Sequence, residues 1–351
     1  MRPLRSRAHL GAVRTALGLA ALVAIVACVD SPTAPSSSTT TAVAARDAAR
    51  TVTATDLGTY GEALAIAPNG RIVGHRYFTS SHHAAVWDDG VLTDLGTVGG
   101  GANSSANDVN ARGRIAGWST TSAGEFVAVV WESGVPTVLP SLGGYYSTAE
   151  AISASGDVVG DSQDADFRFS HAVLWRAGQI VDLGTLGGEE SHARDINGRG
   201  QIVGFSTTAS GAMHAALWQD GVVTDLGTLG GTNSYAFAIN ARGQVVGSSQ
   251  IANGDSRPFL WENGVMIDLG SFGGRYGLAY DINARGQVVG RSDDDTGDSD
   301  AFLWENGVMT NLGTLGGRGS TAYGINESGR IVGAAATSPI GTPHAVLWTV
   351  K

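Results

Sequence analysis

One cysteine, nine prolines, 7% aromatic residues and fewer basic than acidic side chains set the first limits on this chain of 351 residues. The lone thiol, Cys28, cannot close an internal disulfide. So little proline, beside 51 glycines without a collagen period and 42% hydrophobic residues, excludes collagen, a proline-rich linker and a wholly disordered chain. The formal charge is −10, from 22 basic and 32 acidic residues. Arg2, Arg5, Arg7 and Arg14 stand before residue 28 in a stretch without an acid, so its removal leaves −14. That balance argues against nucleic acid as a partner. Nucleophile and phosphate motifs are also missing: there is no Gly-x-Ser-x-Gly elbow, no His-Glu-x-x-His pair and no Gly-x-x-x-x-Gly-Lys loop.

The front end reads as an export signal over residues 1–27. The four arginines form a positive n-region, and Thr15 to Ala27 is small and apolar. Ile25-Val26-Ala27-Cys28 looks like a bacterial lipobox, which makes Cys28 the lipidated first residue of the processed chain. Plain signal-peptidase cleavage and a retained helix are the alternatives; a span needs about 20 apolar residues, more than stand between Arg14 and Asp30. Residues 28–50 are small and polar and read as a tether. The expected address is the outer membrane or cell surface, alternatively the periplasm or medium. The membrane is touched through the lipid alone, and the protein is expected to be a monomer.

From residue 51 onward the chain is periodic. Tryptophan stands at 87, 131, 175, 218, 261, 304 and 348; a second series runs Gly74, Gly117, Gly160, Gly204, Gly247, Gly290 and Gly333; a third runs Ile66, Val109, Ile152, Ile196, Ile239, Ile282 and Ile325. Three registers agree on seven copies, and Trp118 is the one tryptophan outside them. In the sixth copy Ala279 to Ile282 alternates as a short strand, Asn283-Ala284-Arg285-Gly286 turns, and Gln287 to Gly290 returns. Ala301 to Trp304 is a third strand, and Asn306-Gly307 a two-residue turn into a fourth. The segment Leu312 to Gly317, repeated as Leu183 to Gly188 and elsewhere, connects one copy to the next.

A four-stranded meander of this length cannot bury both faces alone, so neighbours must stack on it. The expected fold is all-β: a seven-bladed β-propeller of four-stranded antiparallel blades over residues 51–351. A linear solenoid or an unequal ring is the alternative. The cut point supports the ring, because the last copy lacks a fourth strand while Val52 to Leu57 is an orphan one that would close it.

Asp-Leu-Gly-Thr-Leu-Gly-Gly at 182–188 and 225–231, with the Ile-Asn-x-x-Gly-x-Val-Val-Gly run and the small-apolar-Leu-Trp strand, resembles the bacterial extracellular HAF repeat family over residues 52–350. The resemblance implies a secreted or surface location and no settled activity. The family's His-Ala-Phe triplet is incomplete in every copy: His83, His171, His214 and His344 keep the first place, while Val127, Arg257 and Asp300 replace it. Those histidines would lie about 51° apart in a seven-blade ring, too dispersed for one metal, so strand-end hydrogen bonding is expected of them.

Two residue groups offer a site. Tyr60, Tyr145, Tyr146, Tyr235 and Tyr276 follow the glycine-rich connectors and should gather on one face around the pore, as a ring of amphipathic aromatics that a sugar or peptide could use. Packing over the connectors is their structural alternative. Asp293, Asp295, Asp298 and Asp300 concentrate hard oxygen ligands in one loop with Gly297, which suits calcium, against the plain alternative of a solvated acidic loop. No other cofactor is implied. Glu62, Glu125, Glu150, Glu189 and Glu190 lie in different copies, so a carboxylate pair for glycoside hydrolysis would have to meet across the central channel. The departures from the template are scattered: Pro140 and Tyr145-Tyr146, Arg257-Pro258, and the acidic loop. That scatter favours a non-enzymatic module presenting a loop face to a protein or glycan, with a hydrolase or lyase at the channel as the rival.

Overall fold

The computed structural model describes residues 50–339 and 341–351; the export segment, Cys28 and the rest of the tether lie outside the described residues. Within them the protein is all β, with strands and no helix. Unit four shows how each copy is built. Its strands Gly187–Ile196, Ile202–Thr208, Met213–Gln219 and Val222–Asp225 pair antiparallel in chain order. The turn after Ile196 is made by Asn197, whose Oδ1 accepts from the amides of Arg199 and Gln201, and by Gly200 at φ +76°. Asp220 and Gly221 are both left-handed, the geometry of the two-residue turn that matches strand twist. Ser133-Gly134 and Ala177-Gly178 adopt the same turn without the usual Asn or Asp.

The expected connector turns out to be strand. Gly187 and Gly188 already belong to the first strand, which is ten residues long, and the same holds at Gly143, Gly230 and Gly273. Gly187 sits at φ +99°, so the chain enters the strand through a bend that a side chain would resist.

The glycine series has a single cause. In the first strand of unit four the register slips between Ala193 and Asp195, leaving Arg194 as a β-bulge. The slip turns the His192 carbonyl onto the second strand, where a Cβ on Gly204 would stand 1.9 Å from that oxygen. Equivalent carbonyls press on Gly74, Gly117, Gly160, Gly247, Gly290 and Gly333, each 1.9–2.0 Å from the place a Cβ would occupy.

Hydrogen bonding joins the strands into five sheets. Units four, five and six each form a sheet of their own; units two and three are joined by one parallel bridge, Phe126 to Tyr146. The remaining sheet contains Val52–Ile66, a strand that pairs twice. Its first part, Val52 to Asp56, lies against Val346 to Val350, and its second part, Gly61 to Ile66, against Ile72 to Arg76. The strand-end histidines mark the equivalence. His83, His171 and His214 each donate Nδ1–H to the carboxylate eleven residues on, at Asp94, Asp182 and Asp225, and His344 donates in the same way to Asp56 at 2.8 Å.

First strands of successive units touch in chain order, and that of the last unit, Ser320–Ile325, touches Val52–Ile66. Apolar clusters fill every junction, including the one where Val332 and Ala345 meet Ala63, Ile66 and Trp87. Trp218 is typical of the tryptophan series: it is almost wholly buried among Val159, Leu174, Ala193 and Ile196, and a large aromatic so placed is worth roughly 3–5 kcal/mol against truncation. Trp261 and Trp304 are only partly buried. In their units the completely buried Phe259 and Phe302 take the interior, and the Phe259 ring lies over Gly247 as Trp131 lies over Gly117.

Polar pins cross the same junctions. Asn110, Asn197, Asn240 and Asn283 donate Nδ2–H to the carbonyl 43 residues on, and Asn326 donates to Ala67 O at 3.3 Å. Buried Ser104, Ser147, Ser191, Ser234 and Ser320 accept the amide of a third-strand alanine in the preceding unit, as Ser191 does from Ala172 at 3.0 Å. Between units five and six both partners change. Pro258 has no amide to donate, and Gly277 replaces the serine, where a Cβ would meet Pro258 Cδ at 2.6 Å. Pro258→Ala should therefore leave a buried amide unmatched and Gly277→Ser should clash, each costing about 1–3 kcal/mol. The double variant should lose clearly less than the sum in urea denaturation; additive losses would show that the two positions are not coupled.

Candidate functional site

The bulge that excludes a side chain at Gly204 also aims the first strand. Ala193 and its equivalents Ala63, Ala106, Ala149, Ala236, Ala279 and Ala322 are completely buried between units. The residues on either side face the space that the first strands line. There the seven copies stop resembling one another. The bulge residue is Leu64, Asn107, Glu150, Arg194, Phe237, Tyr280 or Tyr323; after the series glycine comes His75, Trp118, Asp161, Phe205, Ser248, Arg291 or Ala334. A position that is alanine seven times thus neighbours positions of nearly maximal diversity.

Units two to four carry a connected polar cluster. Arg194 Nη1 stands 3.1 Å from Glu150 Oε1 and 3.6 Å from Asp161 Oδ2. Asp161 is 2% exposed; its two oxygens accept the His192 Nδ1–H at 2.9 Å and the Ala193 amide at 3.1 Å. Thr148 Oγ1 donates to Glu150 at 2.9 Å, and Asn107, itself bonded by Ser105, reaches Glu150 from the other side. Burial raises the pKa of Glu150, with Arg194 opposing. Burial also works against the charge on Arg194, but Asp161 and Glu150 hold its pKa above the ordinary guanidinium value. Tyr146 beside this cluster is raised by burial and by the two carboxylates.

Aromatic side chains line the remaining arc. Phe237, Tyr280 and Tyr323, from three successive bulges, stand 5.6 and 5.2 Å apart between ring centroids. Phe205 meets Tyr235 edge-on at 5.1 Å and lies under the Arg194 guanidinium. Toward units one and two, His82 meets Trp118 at 5.4 Å, Trp118 meets Phe126 at 5.1 Å, and Phe126 meets Tyr146. Trp118, outside the tryptophan series, belongs to this lining. Glu62 accepts from Tyr77 at 3.1 Å, and the pKa of Tyr323 is raised by burial and then by the Glu62 charge.

A second acidic layer comes from alternate units. Asp108, Asp195 and Asp281 follow the bulge in units two, four and six, where the other four units have Ala65, Ala151, Ala238 and Gly324. Each aspartate accepts the amide of the isoleucine one unit ahead, Ile152, Ile239 or Ile325, at 2.8 Å. Burial raises all three; Asp195 is pushed up to about 8 and Asp281 to about 7, with mutual repulsion adding to the burial.

The five tyrosines read from the sequence all lie toward the start of first strands, but no two of them make a ring contact. Tyr60, Tyr145 and Tyr276 are exposed; Tyr60 packs edge-on against His344 and Tyr145 stacks on Phe167. Only Tyr146 and Tyr235 join the inner lining. In the acidic loop Asp293 accepts from Ser299, Asp298 pairs with Arg318 and Asp300 accepts from Asn311, while Asp295 stands beside Gly273. Among the described residues no three acidic, histidine or cysteine side chains converge as a metal ligand set. Glu150 and Glu62 stand in the sequence as glutamates of different copies; Arg194, His192 and Arg291 belong to no motif there, and their departure from an otherwise constant repeat is the one signal they give.

Solved structures supply the comparison. The chain is similar to the β-propeller domain of the trilobed protease of Pyrococcus furiosus, with TM-score 0.55 and 10% identity over 83% of this chain and 96% of that one. It is also similar to the Pyrococcus horikoshii acylaminoacyl peptidase, with TM-score 0.52, 12% identity, and coverage of 83% of this chain and 52% of that one. A prolyl endopeptidase matches at TM-score 0.51 and 14% identity, over 83% and 50%. The chain has a β-propeller fold. It spans about half the length of the two whole peptidases, and at such identities the likeness extends to the fold alone. No family model matches, and no curated protein does.

The propeller's inner acids make a pH prediction. Asp195 and Asp281 bind their protons more tightly folded than unfolded, where an aspartate titrates near 3.9. Their contribution is therefore largest at low pH and is lost as pH rises through about 7 to 8. His75, lowered to about 4 by burial and by His82, works in the opposite sense up to its unfolded value near 6.5. Thermal melting should thus fall between about pH 6.5 and 8, and Asp195→Asn should flatten that fall. An unchanged slope in the variant would refute the assignment.

Proposed function

We propose that the protein is a seven-bladed propeller closed by its own N-terminal strand, working as a monomeric binding module for a saccharide seated in the central channel. The carrying observation is the loss of repeat symmetry at the channel wall. The glycine, alanine and tryptophan series hold one residue type in all seven units, whereas wall positions bring the Glu150–Arg194–Asp161–His192 cluster and the Phe237–Tyr280–Tyr323 row into one lining. A wall with an aromatic arc and a hydrogen-bonding arc complements a sugar ring, which has an apolar C–H face and a hydroxyl edge. Tyr60, Tyr145 and Tyr276, exposed near the same end of the first strands, would extend the contact to a longer glycan.

Several features support the closed seven-blade reading. Two of them are the double pairing of Val52–Ile66 and the His344–Asp56 bond. The third is the reach of Asn326 onto Ala67. Lipidation at Cys28 and an extracytoplasmic address stand on the lipobox-like tetrad and on the resemblance to HAF repeats.

Titration calorimetry of residues 50–351 against a panel of neutral and acidic glycosides tests the binding reading. Tyr280→Ala and Trp118→Ala should each weaken binding about tenfold, as loss of a well-packed aromatic anchor does. Binding that survives both changes intact would move the site away from the channel.

A hydrolase or lyase is the second reading, and one observation favours it: Arg194 holds two carboxyl groups together, and burial raises the pKa of one, Glu150, toward that of a general acid. Turnover of any panel member that is abolished in Glu150→Gln would establish it over simple binding.

A further inference from the structure

The channel wall holds two arginines in different circumstances. Arg194 is engaged by Glu150 and Asp161 and stacks on Phe205. Arg291 is half-buried and, among the described residues, has no ion pair and no side-chain hydrogen bond. Its place in the repeat fixes where it reaches. It pairs across to Leu278 and Ala301 in the register held by Asp161 in unit three and Phe205 in unit four. Asp161 from that register touches His192 and Arg194 of the unit ahead, and Phe205 touches Tyr235 of the unit ahead. For Arg291 the corresponding neighbours are Thr321 and Tyr323, with Tyr280 on its own first strand. Its positive field acts on both of these tyrosines. Among the described residues no carboxylate stands within ion-pair distance of it; the nearby Glu62 accepts from Tyr77.

Resting on the saccharide reading of the channel, we propose that Arg291 is the anchor for a carboxylate carried by the ligand, so that the sugar bound is a uronate-type acidic saccharide. A planar guanidinium presents a fork that matches a carboxylate with two parallel hydrogen bonds. The Tyr280 and Tyr323 rings, in contact with each other, form one aromatic face on which the rest of the sugar would lie. The negative charge of the whole chain opposes an acidic ligand at long range, but salt screens that opposition beyond about 8 Å at physiological ionic strength, while a contact inside the channel is screened much less.

The test compares methyl glucuronoside with methyl glucoside, and the galacto pair in the same way, by calorimetry at neutral pH. The uronates should bind about tenfold or more tighter than their neutral partners, since a charge-assisted hydrogen bond contributes about 1.5–3 kcal/mol. Arg291→Ala should erase that preference by lowering uronate affinity about tenfold, toward that of the neutral partner, and should keep the melting temperature, because among the described residues the side chain makes no ion pair and no side-chain hydrogen bond. Arg291→Lys should restore only part of it. Equal binding of acid and neutral sugar by the wild type overturns this proposal and leaves the saccharide reading standing. A uronate preference that persists in Arg291→Ala overturns the assignment to this residue, and a sulfated counterpart binding as tightly as the uronate overturns the choice of a carboxylate. Absence of binding by every sugar, with the protein folded, overturns both readings.

Discussion

One backbone carbonyl per unit, turned out of line by a bulge, governs both the architecture and the chemistry of this protein. Where the His192 oxygen leans onto the second strand, only glycine fits opposite, which sets the glycine period. The same bulge breaks the alternation of the strand, so that Arg194 and Asp195, adjacent in sequence, are both half-buried toward the interior space instead of facing opposite ways. Without that irregularity the inner wall would have one functional position fewer in each unit, and the aspartates of alternate units could not reach the amides of the units ahead.

Structure and function are separated by position rather than by domain. Junctions between units are filled by alanine, valine, isoleucine and tryptophan, and tied by asparagine and serine side chains that reach one unit along. The asparagine is replaced at Ala67 and Ser153 and the serine at Gly61, and at the junction of units five and six both partners change together, at Pro258 and Gly277. The wall residues touch the interior space and are released from that constraint. Each unit can therefore supply a different group to a common site while its framework stays the same.

Much of the framework was legible in the sequence. The tryptophan, glycine and isoleucine periods located every unit, the Asn-x-x-Gly turns formed with the expected left-handed glycine, and Val52 to Asp56 paired with the last strand, as the leading part of the longer strand Val52–Ile66. The adjacent His82 and His83 diverge as strand alternation requires, one toward Trp118 and the other toward Asp94. The connectors misled because Leu-Gly-Gly looks like loop, yet backbone pairing to Thr208 and its equivalents needs no side chain and draws the glycines into the strand. Trp261 and Trp304 show a further limit: a period fixes the position, but the phenylalanines two residues earlier decide which ring enters the core. The site was harder still, since its partners lie in different units. Asp161 and Arg194 are 33 positions apart, and only the reach of one unit over the next reveals that they touch.

A strand shared between two units also orders assembly in time. The first half of Val52–Ile66 finds its pairing partner only in the last eight-residue strand, Pro343–Val350, nearly the whole polypeptide later. Its second half can zip onto Ile72–Tyr77 as soon as a short loop closes. Local hairpins thus form early at small entropic cost, while the final seam is a long-range closure with the slow kinetics of high contact order. Until that seam forms, Thr53 and Thr55 present an unsatisfied β edge, so the span between the first and last pairing is the interval in which this molecule is most open to associating with its own copies.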